Sequence, residues 1–177
     1  MTQAHPKPAA YAPIIRLLHW SVALLVFSEF IIGWTMPSVQ QTTVPSGSVR
    51  WHLSVGAAIL ALVQAQVVCR LIFERDPSSG SRSFRPMSSM APLCLYVMML
   101  AVPITGWADS SSRGWIVRLF GLLYYPLITG RNSSVGKALG AAHGWLAWIL
   151  LSLAVAHIAW ALFHRFVLRD DVLGRMI

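Results

Sequence analysis

Long apolar runs alternate with short polar stretches along the chain. Four runs are long enough to cross hydrocarbon: residues 14–35, 51–73, 91–108 and 142–166. A helix rises ~1.5 Å per residue, so about 20 mostly apolar residues cover a bilayer core. A fifth run, "GWIVRLFGLLYYPLITG" at 114–130, is shorter, carries Arg118 and ends in Pro126 and Gly130. That pattern predicts a short interfacial helix or loop between the third and fourth spans, not a fifth crossing. The expected fold class is all-α. One domain over residues 1–177 forms a transmembrane four-helix bundle.

Composition strengthens this picture. Of 177 residues, 56% are apolar and only 11% are charged. A soluble domain would carry roughly a quarter charged residues. The net charge of +8 could point to nucleic acid. No basic face interleaved with exposed aromatics accompanies it, so no nucleic-acid partner is expected. In a membrane protein such an excess is first a loop bias. Lys7, Arg16, Arg70, Arg75, Arg82, Arg85, Arg165, Arg169 and Arg175, nine of the 14 Lys and Arg, fall on the side of the two termini. Arg50, Arg113, Arg118, Arg131 and Lys137 fall on the other. The bias predicts cytoplasmic termini. The start "MTQAHPKPAAYAPIIR" lacks a signal-peptide pattern, so the first span should stay in the mature protein. Cys69 and Cys94 form no CxxC or CxxCH, which argues against covalent haem attachment or a Cys-based zinc site.

The spans carry histidines, and an imidazole in hydrocarbon is costly unless something pairs with it. His19 lies near the cytoplasmic end of the first span and His52 at the outer end of the second. The fourth span carries His143 near its outer end and His157 in its inner half. Depth therefore pairs His52 with His143 and His19 with His157. His143 and His157 are 14 residues apart, close to four whole turns, so they share one face. They lie about 21 Å apart along the axis. Ordinary hydrogen bonding to backbone is the bland alternative. Four histidines matched by depth and face favour a cofactor. Zinc would want four ligands at one point. Two separated bis-histidine pairs in an apolar bundle suit two haem irons. Gly56, one turn after His52, and Gly144, beside His143, remove bulk where a macrocycle would lie, or simply serve helix packing.

These residues resemble a known family. "LLHW", "WHLSVG", "LAVPITGW" and "HGWLAWILLSLAVAHIAWALFHRFVLRDDVLGRM" together look like bacterial cytochrome b561, over about Pro13 to Met176. The resemblance implies a four-helix inner-membrane protein with two b-type haems that exchanges electrons with the quinone pool. It implies axial ligands at His19, His52, His143 and His157, with the same pairing. The chain departs from the family pattern at Pro92 and Gln66, where many members have a histidine and an arginine. Arg70 stands one turn after Gln66 and is the expected contact for haem propionate or quinone.

The resemblance further implies superoxide oxidation, with ubiquinone as acceptor. The five outer cations could steer a small anion to the outer haem, or neutralise propionates and lipid phosphates. His164, seven residues after His157, is a candidate quinone contact with Arg165 beside it; a snorkelling interfacial histidine is the alternative. Glu29 is expected either to pair with an outer arginine or to lie in a loop. The rival reading is a non-catalytic subunit relaying electrons between a periplasmic dehydrogenase or hydrogenase and quinone. Such a redox partner would dock on residues 109–141.

Overall fold

The structure is a computed structural model and describes residues 11–40, 42–73 and 90–169. Four helices dominate it: α1 Pro13–Thr35, α2 Gly47–Phe73, α3 Met90–Ser112 and α4 Ser134–Phe163, the last continued by a π-helical turn, His164–Leu168. Each is long and apolar enough to cross a membrane. The chain is a four-helix transmembrane bundle.

Local chemistry sets the helix limits. Pro13 opens α1, where its missing N–H costs nothing. Pro37 follows the end of α1. The α3 helix runs past the expected end at 108, because Ser110, Ser111 and Ser112 turn their hydroxyls back onto helix carbonyls. The α4 helix starts eight residues before the apolar run at 142. Ser133 caps it by accepting from the Gly136 N–H at 3.3 Å. Its first two turns, "SVGKALGAA", are too polar to register as a span.

The fifth run folds as a β-hairpin, so the interfacial-helix alternative is replaced by structured loop. Strands β1 (Arg118–Leu119) and β2 (Leu123–Tyr124) pair antiparallel. Phe120 and Gly121 turn between them with φ of 47° and 78°. Gly121 takes this conformation without strain, and the Leu122 N–H closes the turn onto the Leu119 carbonyl at 2.9 Å.

Helix α1 packs on α2, α2 on α3, and α3 on α4. Val22, Val55, Ile59, Val63 and Tyr96 form the buried core of the first three helices. The α3–α4 contact is closer. A Cβ on Gly136 would lie 2.5 Å from the Ser112 Cβ and 2.9 Å from the Ala108 carbonyl oxygen. A Cβ on Gly140 would lie 2.6 Å from the Asp109 carboxyl. Two glycines four residues apart thus let the helix backbones meet.

The hairpin segment roofs one end of the bundle. Ser54 Oγ donates to the Arg118 carbonyl at 2.8 Å, tying the roof to α2. Trp107 Nε1 donates to the Pro126 carbonyl at 2.9 Å, and Thr129 Oγ1 to the Ala108 carbonyl at 2.9 Å, tying it to α3. Around the helices Leu17, Leu24, Phe27, Trp145, Ile158 and Phe166 are exposed. A bilayer covers such a surface; water would not tolerate it. Lys7, Arg75, Arg82, Arg85 and Arg175, five of the cations behind the expected orientation, lie outside the described residues.

Candidate functional site

The site is built from α3 and α4 first. Gly106 ends the "LAVPITG" stretch of α3. With no side chain there, the Cε1–Nδ1 edge of the His143 ring comes close to α3. A Cβ at Gly106 would come 3.0 Å from both Cε1 and Nδ1 of that ring. The close approach brings His143 Nδ1 to 2.9 Å from the Val102 carbonyl oxygen. Nδ1 therefore carries the proton and donates, which leaves Nε2 as a lone-pair ligand. Pro103 sits inside the same turn of α3 and offers no backbone N–H there.

His52 comes from the first turns of α2. Its Nδ1 lies 3.0 Å from Oε1 of Glu29 on α1. The ring N–H is not aligned with that contact, so Nδ1 and Glu29 Oε2 both lack an aligned partner. Glu29 thus neither pairs with an arginine nor lies in a loop. It faces a histidine inside the bundle.

His52 and His143 face each other with ring centres 6.0 Å apart and planes 88° apart. Two imidazole nitrogens each about 2 Å from one metal would put the ring centres roughly 6 Å apart. The rings stand on the wall of a cavity of about 620 Å³. That volume falls within the range of about 300–1,000 Å³ that small-molecule and cofactor sites occupy. All four helices line it, and Trp115, Val117 and Tyr125 of the hairpin segment close its end. Trp34 and Trp148 meet across it at 5.9 Å, joining α1 to α4. Gly144 also lines it, and a Cβ there meets nothing within 4 Å. Open space at Gly144 fits the expected cradle. Gly56 lines the cavity too, but its missing Cβ chiefly makes room for Glu29, whose Oε1 would be 3.3 Å away.

The structure separates the five expected cations. Arg113 and Lys137 line the cavity; Arg50, Arg118 and Arg131 do not. Arg113 is ion-paired to Asp109 at 2.9 Å. Arg118 stacks on Tyr124, and Arg131 packs over Gly114. Asp109 was not singled out from sequence. Its place one turn before Arg113 on a helix was the available signal.

Toward the chain termini, His19 of α1 has His157 of α4 and Arg70 of α2 within electrostatic reach. His19 is half-buried and His157 exposed. Arg70 lies between the rings of Tyr11 and Tyr96, at 5.4 and 5.6 Å. Its Nε is buried without a hydrogen-bond acceptor. Gln66, only 2% exposed, donates to the Tyr96 hydroxyl at 3.0 Å, and its own Oε1 has no donor. Arg70 and Tyr96 line a second, apolar cavity of about 160 Å³ with Leu93, Val97 and Leu100. His164 starts the π-helical turn and rests on Trp160, ring centres 4.6 Å apart, while Arg165 beside it is exposed. Pro92 lies in the first turn of α3 and supports no polar contact of its own.

Comparison with known proteins adds the family. Residues 10–177 match prokaryotic cytochrome b561. Cytochrome b561 homolog 2 of Escherichia coli K12 is 29% identical over 175 residues, covering 96% of this chain and 92% of the relative. The probable superoxide oxidase CybB of Yersinia pestis is 30% identical over 168 residues, covering 90% and 91%. Cytochrome b562 of Cereibacter sphaeroides is 28% identical over 173 residues, covering 94% of each chain. A bundle of four apolar helices, a histidine pair on the wall of an intramembrane cavity and this end-to-end match agree: the chain belongs to the prokaryotic cytochrome b561 family, multi-pass bacterial membrane proteins that bind haem b and transfer electrons.

Proposed function

We propose that this protein carries two b haems and passes single electrons from superoxide to ubiquinone across the inner membrane. His52 and His143 are the axial pair at the hairpin end, and His19 and His157 the pair toward the termini. The hairpin end faces the periplasm and both termini the cytoplasm. One observation carries the reading: His52 and His143 stand with ring centres 6.0 Å apart on the cavity wall, and His143 Nδ1 donates to the Val102 carbonyl. The superoxide oxidase named among the relatives supports the donor.

The bound haems supply one-electron storage and outer-sphere transfer through their edges. The rest is the work of side chains. Asp109 neutralises Arg113, so Lys137 is left to draw an anion toward the cavity mouth. The hairpin roof keeps bulk water off the His52–His143 pair. At the opposite end Arg70, with its unpaired Nε, faces an acceptor such as a propionate or a quinone carbonyl. His164 and Arg165 provide further donors there. Each superoxide gives one electron and leaves as dioxygen. Two such transfers with two protons turn ubiquinone into ubiquinol.

Stopped-flow mixing of the purified protein with superoxide and ubiquinone tests this. Haem reduction should outrun spontaneous superoxide decay and yield one ubiquinol per two superoxides. Haems left oxidised would exclude the oxidase reading. Lys137→Glu should slow the second-order rate roughly tenfold at low salt, with the difference shrinking as salt rises. A salt-independent rate equal to wild type would rule out steering by Lys137.

The relay reading has one observation in its favour. The hairpin tip exposes Leu122, Leu123 and Tyr124, at 80%, 60% and 62%. An apolar tip of this kind suits a docked periplasmic subunit. Inert haems toward superoxide, together with a co-purifying dehydrogenase or hydrogenase, would favour it.

A further inference from the structure

A carboxylate inside a membrane span is expensive and needs a compensating role. Glu29 lies in the last third of α1, six residues before its end, with only 17% of its side chain exposed. Its neighbours are shaped around it. Gly56 on α2 withholds a Cβ that would sit 3.3 Å from Oε1. His52 presents Nδ1 to the same oxygen at 3.0 Å, within hydrogen-bonding distance. The facing ligand is treated differently. His143 Nδ1 bonds the neutral Val102 carbonyl at 2.9 Å. One member of the pair therefore has a carboxyl group beside its Nδ1 and the other a backbone carbonyl.

We infer that Glu29 is a positioning residue for His52, orienting its ring and strengthening it as an iron ligand at the hairpin-end haem. The inference rests on the haem assignment to His52 and His143 made above. A carboxylate accepting the Nδ1 proton gives the imidazole imidazolate character. Extra electron density on the ligand favours ferric over ferrous iron. The hairpin-end haem is thereby made the weaker oxidant than it would be with two carbonyl-supported ligands. A turn of the His52 ring would align its Nδ1–H with Oε1 and leave Nε2 free to hold an iron.

The test uses full-length, haem-loaded protein with Glu29→Gln and Glu29→Leu. The readouts are a redox titration resolving both haems and the low-spin ferric signals in electron paramagnetic resonance. Glu29→Gln keeps an acceptor oxygen and loses the charge. It should keep both haems and shift the ferrous-to-ferric ratio of the hairpin-end haem at least tenfold toward ferrous, or 59 mV for one electron. Glu29→Leu loses charge and acceptor, and should weaken binding of that haem tenfold or more. The signal and potential of the other haem should stay at wild type in both. An unmoved potential and spectrum in Glu29→Gln overturns the inference, whatever Glu29→Leu does. A haem content left unchanged by His143→Ala overturns the haem assignment, and the inference falls with it.

Discussion

Replacing His143 with alanine is expected to halve the haem content, from two per chain to one. In the proposed assignment this imidazole is the ligand from α4, and nothing beside it can substitute. Gly144 has no side chain, and among cavity-lining residues His52 is the other imidazole. Without His143, His52 alone would have to hold that haem, and the 6.0 Å ring pairing that suits two ligands is gone. The variant should still insert, because its helices pack through Gly136, Gly140 and the Val22–Val63 core rather than through His143. His157→Ala should instead remove the haem toward the termini. A pyridine haemochromogen assay and the split ferric signals distinguish the two. An unchanged haem-to-protein ratio in His143→Ala would refute the assignment.

The second large effect concerns packing. Gly136→Leu should loosen α4 from α3 and cost about 1–3 kcal/mol or more, the range for overpacked interiors. Its first side-chain carbon would land 2.5 Å from Ser112 Cβ and 2.9 Å from a backbone oxygen, and backbone cannot step aside. Ser112 and Ala108 are themselves buried, at 2% and 1% exposure. Gly130→Ala is the control, since its Cβ would meet open space away from the cavity. Thermal unfolding in detergent should show a lower midpoint for Gly136→Leu and a near-normal one for Gly130→Ala. Equal midpoints would mean that the α3–α4 contact is not set by the glycines.

Much of this molecule could be read in its sequence. Spans are legible because lipid demands a long uninterrupted apolar run, and the four runs carry few charges. The grouping of histidines by depth followed from the rise per residue alone. The start of α4 was not legible, because its first two turns stand on a serine cap and glycine packing rather than on apolarity. The hairpin was half-legible: Arg118, Pro126 and Gly130 argued against a crossing, but a left-handed Phe120 carries no sequence signature. Glu29 stayed obscure for a different reason. Its partner depends on how α1 is rotated against α2, and rotation is fixed by packing of the Val22, Val55 and Ile59 side chains. Which of the five outer cations line the cavity was not legible, since proximity in sequence to the outer end did not specify that Arg118 and Arg131 would lie on tyrosine and glycine.

One helix carries a ligand of each proposed pair. His143 and His157 both lie on α4, the last helix of the chain, while their partners His52 and His19 lie on α2 and α1. Neither site exists in a chain still being synthesised. The ribosome releases the first two helices with two lone histidines, and both haem sites are completed together when α4 enters the bilayer. On the proposed ligand pairs, haem loading would be a late event of biogenesis, and a nascent chain truncated before residue 143 would lack one ligand of each pair.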